Sequence, residues 1–348
     1  MVESSLKSWE MGAASQALLE WRWANLSSTN PNLFPFPDTL PEDYAEDVLH
    51  IAETVLSKKD PQATQLTPDG SSADPASLGV AVLIANWTIE DKEDRSYGDA
   101  AAAQLKHLLE TVPRGDNGGI SHRESEVQYW ADSVYMVPPF IAFYGGLQND
   151  RNLLQESYNQ VRAYKEVLSD ETNLWKHIML GSWQDPSHWL TGNAWAAAGM
   201  MRVLQTINAS SHAGDMQQQQ YDLEGWIKDI LYASREFQAP NGGLSNTIDA
   251  QPNTPQAFQD TAGTALLASV AYRMSLFKRD SDLIGFAKNA RRFVRERVST
   301  ETGWLDGAVD PYKFDVPTEE GQYSPEAQAF LLVLEAARRD YTAGTKED

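Results

Sequence analysis

Apolar residues recur three and four positions apart over long stretches of this chain, and no stretch sustains the two-residue alternation of a half-buried strand. The spacing predicts helices over roughly 5–25, 41–58, 76–90, 97–112, 130–146, 150–169, 188–207, 219–238, 258–277, 281–298 and 323–341. Start signals agree at two of them. Pro41 with Glu42 and Asp43 opens one helix, and Ser324, Pro325 and Glu326 open the last. Connections as short as Gly146 to Asp150 make antiparallel hairpins of neighbouring helices. Four turns share one plan, a polar Gly/Asn corner followed by a large apolar residue and a polar one. They begin at Arg114, Asp170, Ala239 and Thr300, a spacing of roughly 55 to 70 residues. About six hairpins of this size fill the chain. The expectation is an all-α protein, an (α/α)6 barrel formed as a single domain over residues 1–348. A straight solenoid would show a tighter repeat and stronger self-similarity. Loops rich in Gly and Trp, gathered at one end of such a ring, would shape a cleft.

Composition narrows the partners. A net charge of -21 counts against nucleic acid, whose phosphates need clustered Lys and Arg. With no run of about 18 apolar residues, no membrane span is expected. The absence of cysteine removes disulfides, thiolate metal sites and Cys nucleophiles. The opening MVESSLKSW lacks the basic and apolar regions of a signal peptide. A secreted protein freed of its signal and a cytoplasmic one both stay open. Sequons at Asn25, Asn86 and Asn208 are about as many as chance supplies. No dinucleotide, phosphate-loop, serine-hydrolase or zinc-protease motif occurs. The acidic run from Asp91 to Gly98 reads as a solvated turn, since it lacks the alternating ligands of a calcium loop. Neither a metal nor another cofactor is expected, and the chain is expected to be a monomer or weak homodimer.

Carboxylates, aromatics and a few histidines remain, a set suited to acid–base chemistry on a sugar. There are 11 tryptophans, and Trp130, Trp175, Trp183, Trp189 and Trp304 fall in or beside loops. An indole there stacks on a pyranose face, although core packing is the commoner use of any single Trp.

The informative stretch runs from Val112 to Leu204. It contains Pro113-Arg114, Gly118-Gly119 and His122, then Trp130-Ala-Asp132-Ser-Val-Tyr135-Met136 and Pro139-Phe140. Asn173-Leu-Trp-Lys-His177 and Trp189-Leu-Thr191-Gly192-Asn193-Ala194-Trp195 follow. These motifs resemble those of the unsaturated rhamnogalacturonyl hydrolases, glycoside hydrolase family 105, and of the related unsaturated glucuronyl hydrolases of family 88. Weaker echoes lie at Asp260-Thr-Ala-Gly-Thr-Ala and at Ser324-Pro-Glu-Ala-Gln-Ala. The resemblance implies an (α/α)6 barrel that releases a 4,5-unsaturated uronic acid from lyase-generated oligosaccharides. It implies that Asp132 protonates C4 of that sugar, that water adds at C5, and that the hemiketal collapses. It also implies that His122 and His177 line the sugar pocket, that Trp189, Asn193 and Trp195 stack on and hydrogen-bond the substrate, and that Asp74 is a second acidic residue.

Local chemistry fits this role for Asp132, because Trp130, Tyr135 and Met136 around it would desolvate a carboxyl and favour its protonated form. Trp183, inside the Trp-rich stretch between 175 and 195, joins the candidate sugar-binding set. Asp132 and Asp74 both also fit as helix caps. One position departs from the family pattern. Thr191 stands where the family has an Arg, whose guanidinium would pair bidentately with a uronate. Arg114 and Arg123 in the neighbouring loop are the alternative cations. Two other readings stay open, a glycosidase acting on a different small saccharide and a non-catalytic sugar-binding protein on the same fold.

Overall fold

In a computed structural model of the protein, residues 1–36, 44–88, 96–278 and 280–345 are described. The helix start at Pro41 to Asp43 and the Asp91 to Arg95 part of the acidic run lie outside them. Every predicted helix is found. The elements are α1 (Ser8–Arg22), α2 (Glu46–Lys58), the single turn α3 (Ala73–Ala76), α4 (Gly79–Thr88), α5 (Ser96–Glu110) and α6 (Ser133–Gln148). Then come α7 (Arg151–Leu168), α8 (Leu190–Ala209), α9 (Gln217–Arg235), α10 (Thr261–Lys278), α11 (Ser281–Arg295) and α12 (Pro325–Thr345).

These helices form an (α/α)6 barrel. The inner ring is α1, α4 with α3 before it, α6, α8, α10 and α12, each packed on the next, with α12 returning to α1. The outer helices α5, α7, α9 and α11 each lean on the inner helix before them in the chain, and α2 leans on both α1 and α4. Residue type decides the ring. Nearly every residue of α8 is buried, as befits a helix enclosed on all sides. In α9 only Leu223, Ile227, Ile230, Leu231 and Ser234 are buried, one stripe facing inwards. Among the described residues there are five hairpins and a closing helix, where the repeat of the turns predicted about six hairpins.

Small residues let the inner helices approach. A Cβ added at Gly199 of α8 would stand 2.0 Å from the Val134 carbonyl oxygen of α6, so only glycine fits that crossing. The α6–α7 hairpin turns at Asn149, which takes a left-handed conformation with φ 54°. Asp150 then caps α7 by accepting from Asn152 N at 2.8 Å. Closure of the ring rests on buried charge. Arg273 of α10 pairs with Glu20 of α1 and, at 3.3 Å, with Asp340 of α12.

Beyond the predicted elements the structure adds the single turn α3 and short strands. β1 (Gln128–Trp130) pairs antiparallel with β2 (Ile178–Leu180), and β3 (Val309–Asp310) with β4 (Lys313–Pro317). Two to five residues are too few for alternation to register in a sequence. Among the described residues, no helix is long and apolar enough to cross a membrane.

Candidate active site

The starts of α1, α3, α6, α8 and α12 lie around a cavity of about 670 Å³, within the usual range of small-molecule sites. Trp9 of α1, Asp74 of α3, Asp132 just before α6 and Met136 within it, Trp189 just before α8 and Trp195 within it, and Glu326 of α12 all line it. His122, Arg123 and Trp130 come from the long loop before α6, and Tyr312 from the β3–β4 turn.

Short backbone pairings hold these loops in register. Trp130 lies opposite Ile178 in the β1–β2 ribbon, and Ala131 N donates to the His177 carbonyl at 2.9 Å. Asp132 is thereby set beside His177. Ser72 N likewise donates to the His122 carbonyl at 2.9 Å, which pins the segment leading into Asp74 against the same loop. Ser71 Oγ then accepts from Asp74 N at 3.1 Å at the start of α3.

Asp132 precedes α6 with helical dihedrals, and its side chain makes no capping bond. Its Oδ2 faces His177 Nε2 at 3.5 Å, and neither buried atom has a hydrogen-bond partner. Unsatisfied buried polar atoms are rare in folded proteins and mark groups kept for another purpose. His177 Nδ1 lies 2.9 Å from Asp185 Oδ2. Burial alone would lower the pKa of His177, but the carboxylates of Asp132 and Asp185 outweigh it and raise the pKa. Asp185 moves the opposite way, below the usual carboxylate range. Burial opposes that change, and the bond to His177 drives it.

Asp74 is the carboxyl that holds a proton. Burial, reinforced by the charges of Asp69 and Asp132, pushes it up to about 8. Glu326 is pushed up as well, by burial first and then by Asp132, Glu10 and Asp260. Burial pulls His122 down to about 3, so its imidazole is neutral at physiological pH. That ring bonds Ser133 Oγ at 2.8 Å through Nδ1 and stacks on Trp130 at 4.5 Å. It braces the indole that walls the cavity.

Of the predicted site residues, Asp132, Asp74, His122, Trp130, Met136, Trp189 and Trp195 therefore meet around one cavity. The others stand elsewhere. Trp183 is 43% exposed at the rim, its ring edge-on to Trp130 at 5.5 Å. Tyr135 points away into the barrel, where Arg202 covers its ring. Asn193 is spent on backbone, bonding both N and O of Trp175 at 2.8 Å and the Trp189 carbonyl at 3.0 Å. His177 reaches the cavity only through Asp132.

Thr191 is also committed, since its hydroxyl donates to Asp260 Oδ2 at 2.8 Å. Asp260 takes three further bonds, from Ala262 N, Gly263 N and Val309 N at 2.8–2.9 Å. With two donors on each oxygen, this buried carboxylate joins α8, the start of α10 and β3. Thr191→Val removes one donor from a buried charge and should destabilise the fold by about 1.5–3 kcal/mol. Thermal denaturation would show this as a lowered Tm, and an unchanged Tm would deny Thr191 the structural role.

Sequence reasoning did not reach Trp9, Asp69, Tyr312 or Glu326. Glu326 was visible only as a first-turn residue at the start of α12, a position ordinarily solvated. Its burial follows from ring closure, which brings the last helix beside the first.

A family model described as Glycosyl Hydrolase Family 88 matches residues 6–274. In three dimensions the chain is similar to a possible member of family GH105 from Salmonella enterica subsp. enterica serovar Paratyphi A. The TM-score is 0.75 at 16% identity, over 96% of this chain and 83% of that one. A family 105 glycoside hydrolase from C. acetobutylicum gives a TM-score of 0.73 at 13% identity, over 97% and 95% of the two chains. The unsaturated glucuronyl hydrolase from Bacillus sp. GL1, responsible for the degradation of glycosaminoglycan, gives 0.60 at 14% identity, over 97% and 96%. No curated protein matches the chain in sequence.

Proposed function

Since the chain belongs to glycosyl hydrolase family 88, and is thus a glycoside hydrolase, we propose that it releases a 4,5-unsaturated uronic acid from the non-reducing end of an oligosaccharide, with residues 1–348 acting as one catalytic domain. The observation that carries this reading is the pair Asp132 and Asp74. Two coupled carboxyls share an aromatic-walled cavity, and one of them keeps its proton at neutral pH. An enol ether needs that arrangement, with an acid to protonate carbon and a base to deliver water.

In the reaction, Asp74 passes its proton to Asp132, which delivers it to C4, and the carboxylate left on Asp74 orients a water molecule. As the C4–C5 double bond is protonated, positive charge develops at C5 and the ring oxygen. Water adds at C5, and its surplus proton returns to the carboxyl pair. The hemiketal at C5 opens to a ketone, which leaves a hemiacetal at C1. Collapse of that hemiacetal frees the leaving sugar as an alcohol, so one water is consumed per turnover. His177, held by Asp185, is a positioning residue that fixes Asp132. Trp130, Trp189 and Trp195 supply the apolar walls.

The relatives support the substrate class, the Bacillus sp. GL1 enzyme by its name.

The test is loss of the unsaturated-uronate absorbance, using lyase-generated disaccharides from pectin, rhamnogalacturonan and glycosaminoglycans. The band should decay with at least one of them. The rate should fall about tenfold per pH unit above about pH 8, where Asp74 gives up its proton. A folded protein that bleaches none of the three would refute the assignment, and binding heat without turnover would move it to the sugar-binding alternative.

A further inference from the structure

The cavity poses an electrostatic problem for a uronate. Asp69, Asp74, Asp132 and Glu326 all line it, and the position where the family pattern carries an Arg holds Thr191, neutral and bonded to Asp260. Some other cation must meet the sugar's carboxylate. Among the described residues, three line the cavity: Lys7, Lys58 and Arg123. Lys7 and Lys58 are exposed, so water and salt screen them. Arg123 is half-buried, and its guanidinium lies 4.7 Å over the Trp130 ring, which limits its motion. Its charge acts on His122, Asp69 and Asp74, yet among the described residues it forms no ion pair. Arg114, the other cation of this loop, is spoken for. It pairs with Glu156 at 3.0 Å, donates to the Gly118 carbonyl at 2.7 Å, and does not line the cavity.

We propose that Arg123, stacked on Trp130 at the cavity wall, binds the carboxylate of the uronic acid and is the residue that makes this site select an acidic sugar over a neutral one. The inference rests on the uronate reading of the substrate. It assigns the recognition to a residue contributed by the loop before α6 and not by α8. A guanidinium placed over an indole still has N–H groups for two parallel bonds to a carboxylate. Lysine at the same place would keep the charge without the fork.

The experiment is calorimetric binding of a saturated uronyl disaccharide and of its neutral methyl ester, to the wild type, Arg123→Gln and Arg123→Lys. No turnover is involved, so an inactive enzyme and a mistaken role for Arg123 give separate results. The wild type should bind the acid about 10- to 100-fold more tightly than the ester. Arg123→Gln should erase that preference by weakening the acid alone, and Arg123→Lys should restore part of it. Because the side chain is half-exposed, the Tm of both variants should match the wild type. A wild type that does not distinguish acid from ester, or an Arg123→Gln variant that keeps the preference, would overturn the proposal.

Discussion

Asp132→Asn should leave a folded protein that still binds its oligosaccharide and turns it over about 10^3-fold more slowly, the usual scale for losing a general acid. The reasons for retained folding are specific. A helix-capping Asp would cost stability on replacement, but the Asp132 side chain makes no capping bond to α6. Asparagine has the same shape, so Trp130 and Met136 keep their packing. The amide carries no transferable proton, and His177 loses one of the two carboxylates that hold its pKa up. The measurement pairs the absorbance assay with thermal denaturation. A variant with full activity would remove Asp132 from the chemistry. A variant that fails to fold would return it to a structural role.

How far this site was legible in the sequence depends on the physical origin of each part. The helices were legible because burial against a ring imposes a 3.6-residue spacing on local sequence. The ribbons β1 and β2 were not, because three residues carry no period. Asp132, Trp130 and Trp189 were found through the resemblance of their motifs to those of families 105 and 88, which mark the residues that open an inner helix. Spacing does not say which way a side chain points. Tyr135 and Asn193 share those motifs, yet one faces Arg202 and the other holds the Trp175 backbone. Contacts across the ring were out of reach altogether. Thr191 looked like a missing cation until its hydroxyl was seen on Asp260, a residue on the next inner helix. Glu326 and Trp9 likewise meet the cavity only because α12 closes on α1.

Asp74→Asn should show the opposite of a normal destabilising mutation, losing activity while gaining stability. Among the described residues Asp74 forms no ion pair, and its pKa is raised from 3.8 to about 8 by burial and by the neighbouring Asp69 and Asp132, against a smaller opposing effect of Arg123. Between about pH 4 and about pH 8 the folded chain therefore keeps a proton that the unfolded chain has released. The folded state binds more protons across that window, so stability must fall as pH rises through it and level off above. Asparagine has no proton to lose and is free of this penalty. Its Tm should equal that of the wild type near pH 4 and exceed it increasingly up to pH 8. Because the carboxyl keeps a face open to the cavity, the gain is about 1–3 kcal/mol and not the full value of the shift. Activity should fall about 10^2-fold, since an amide neither supplies a proton nor accepts one from the attacking water. Such a trade is expected where a fold tolerates strain for chemistry. Tm measured at four or five pH values across the window decides the matter. A difference that does not grow with pH would mean that Asp74 is ionised in the folded chain and does not hold the proton.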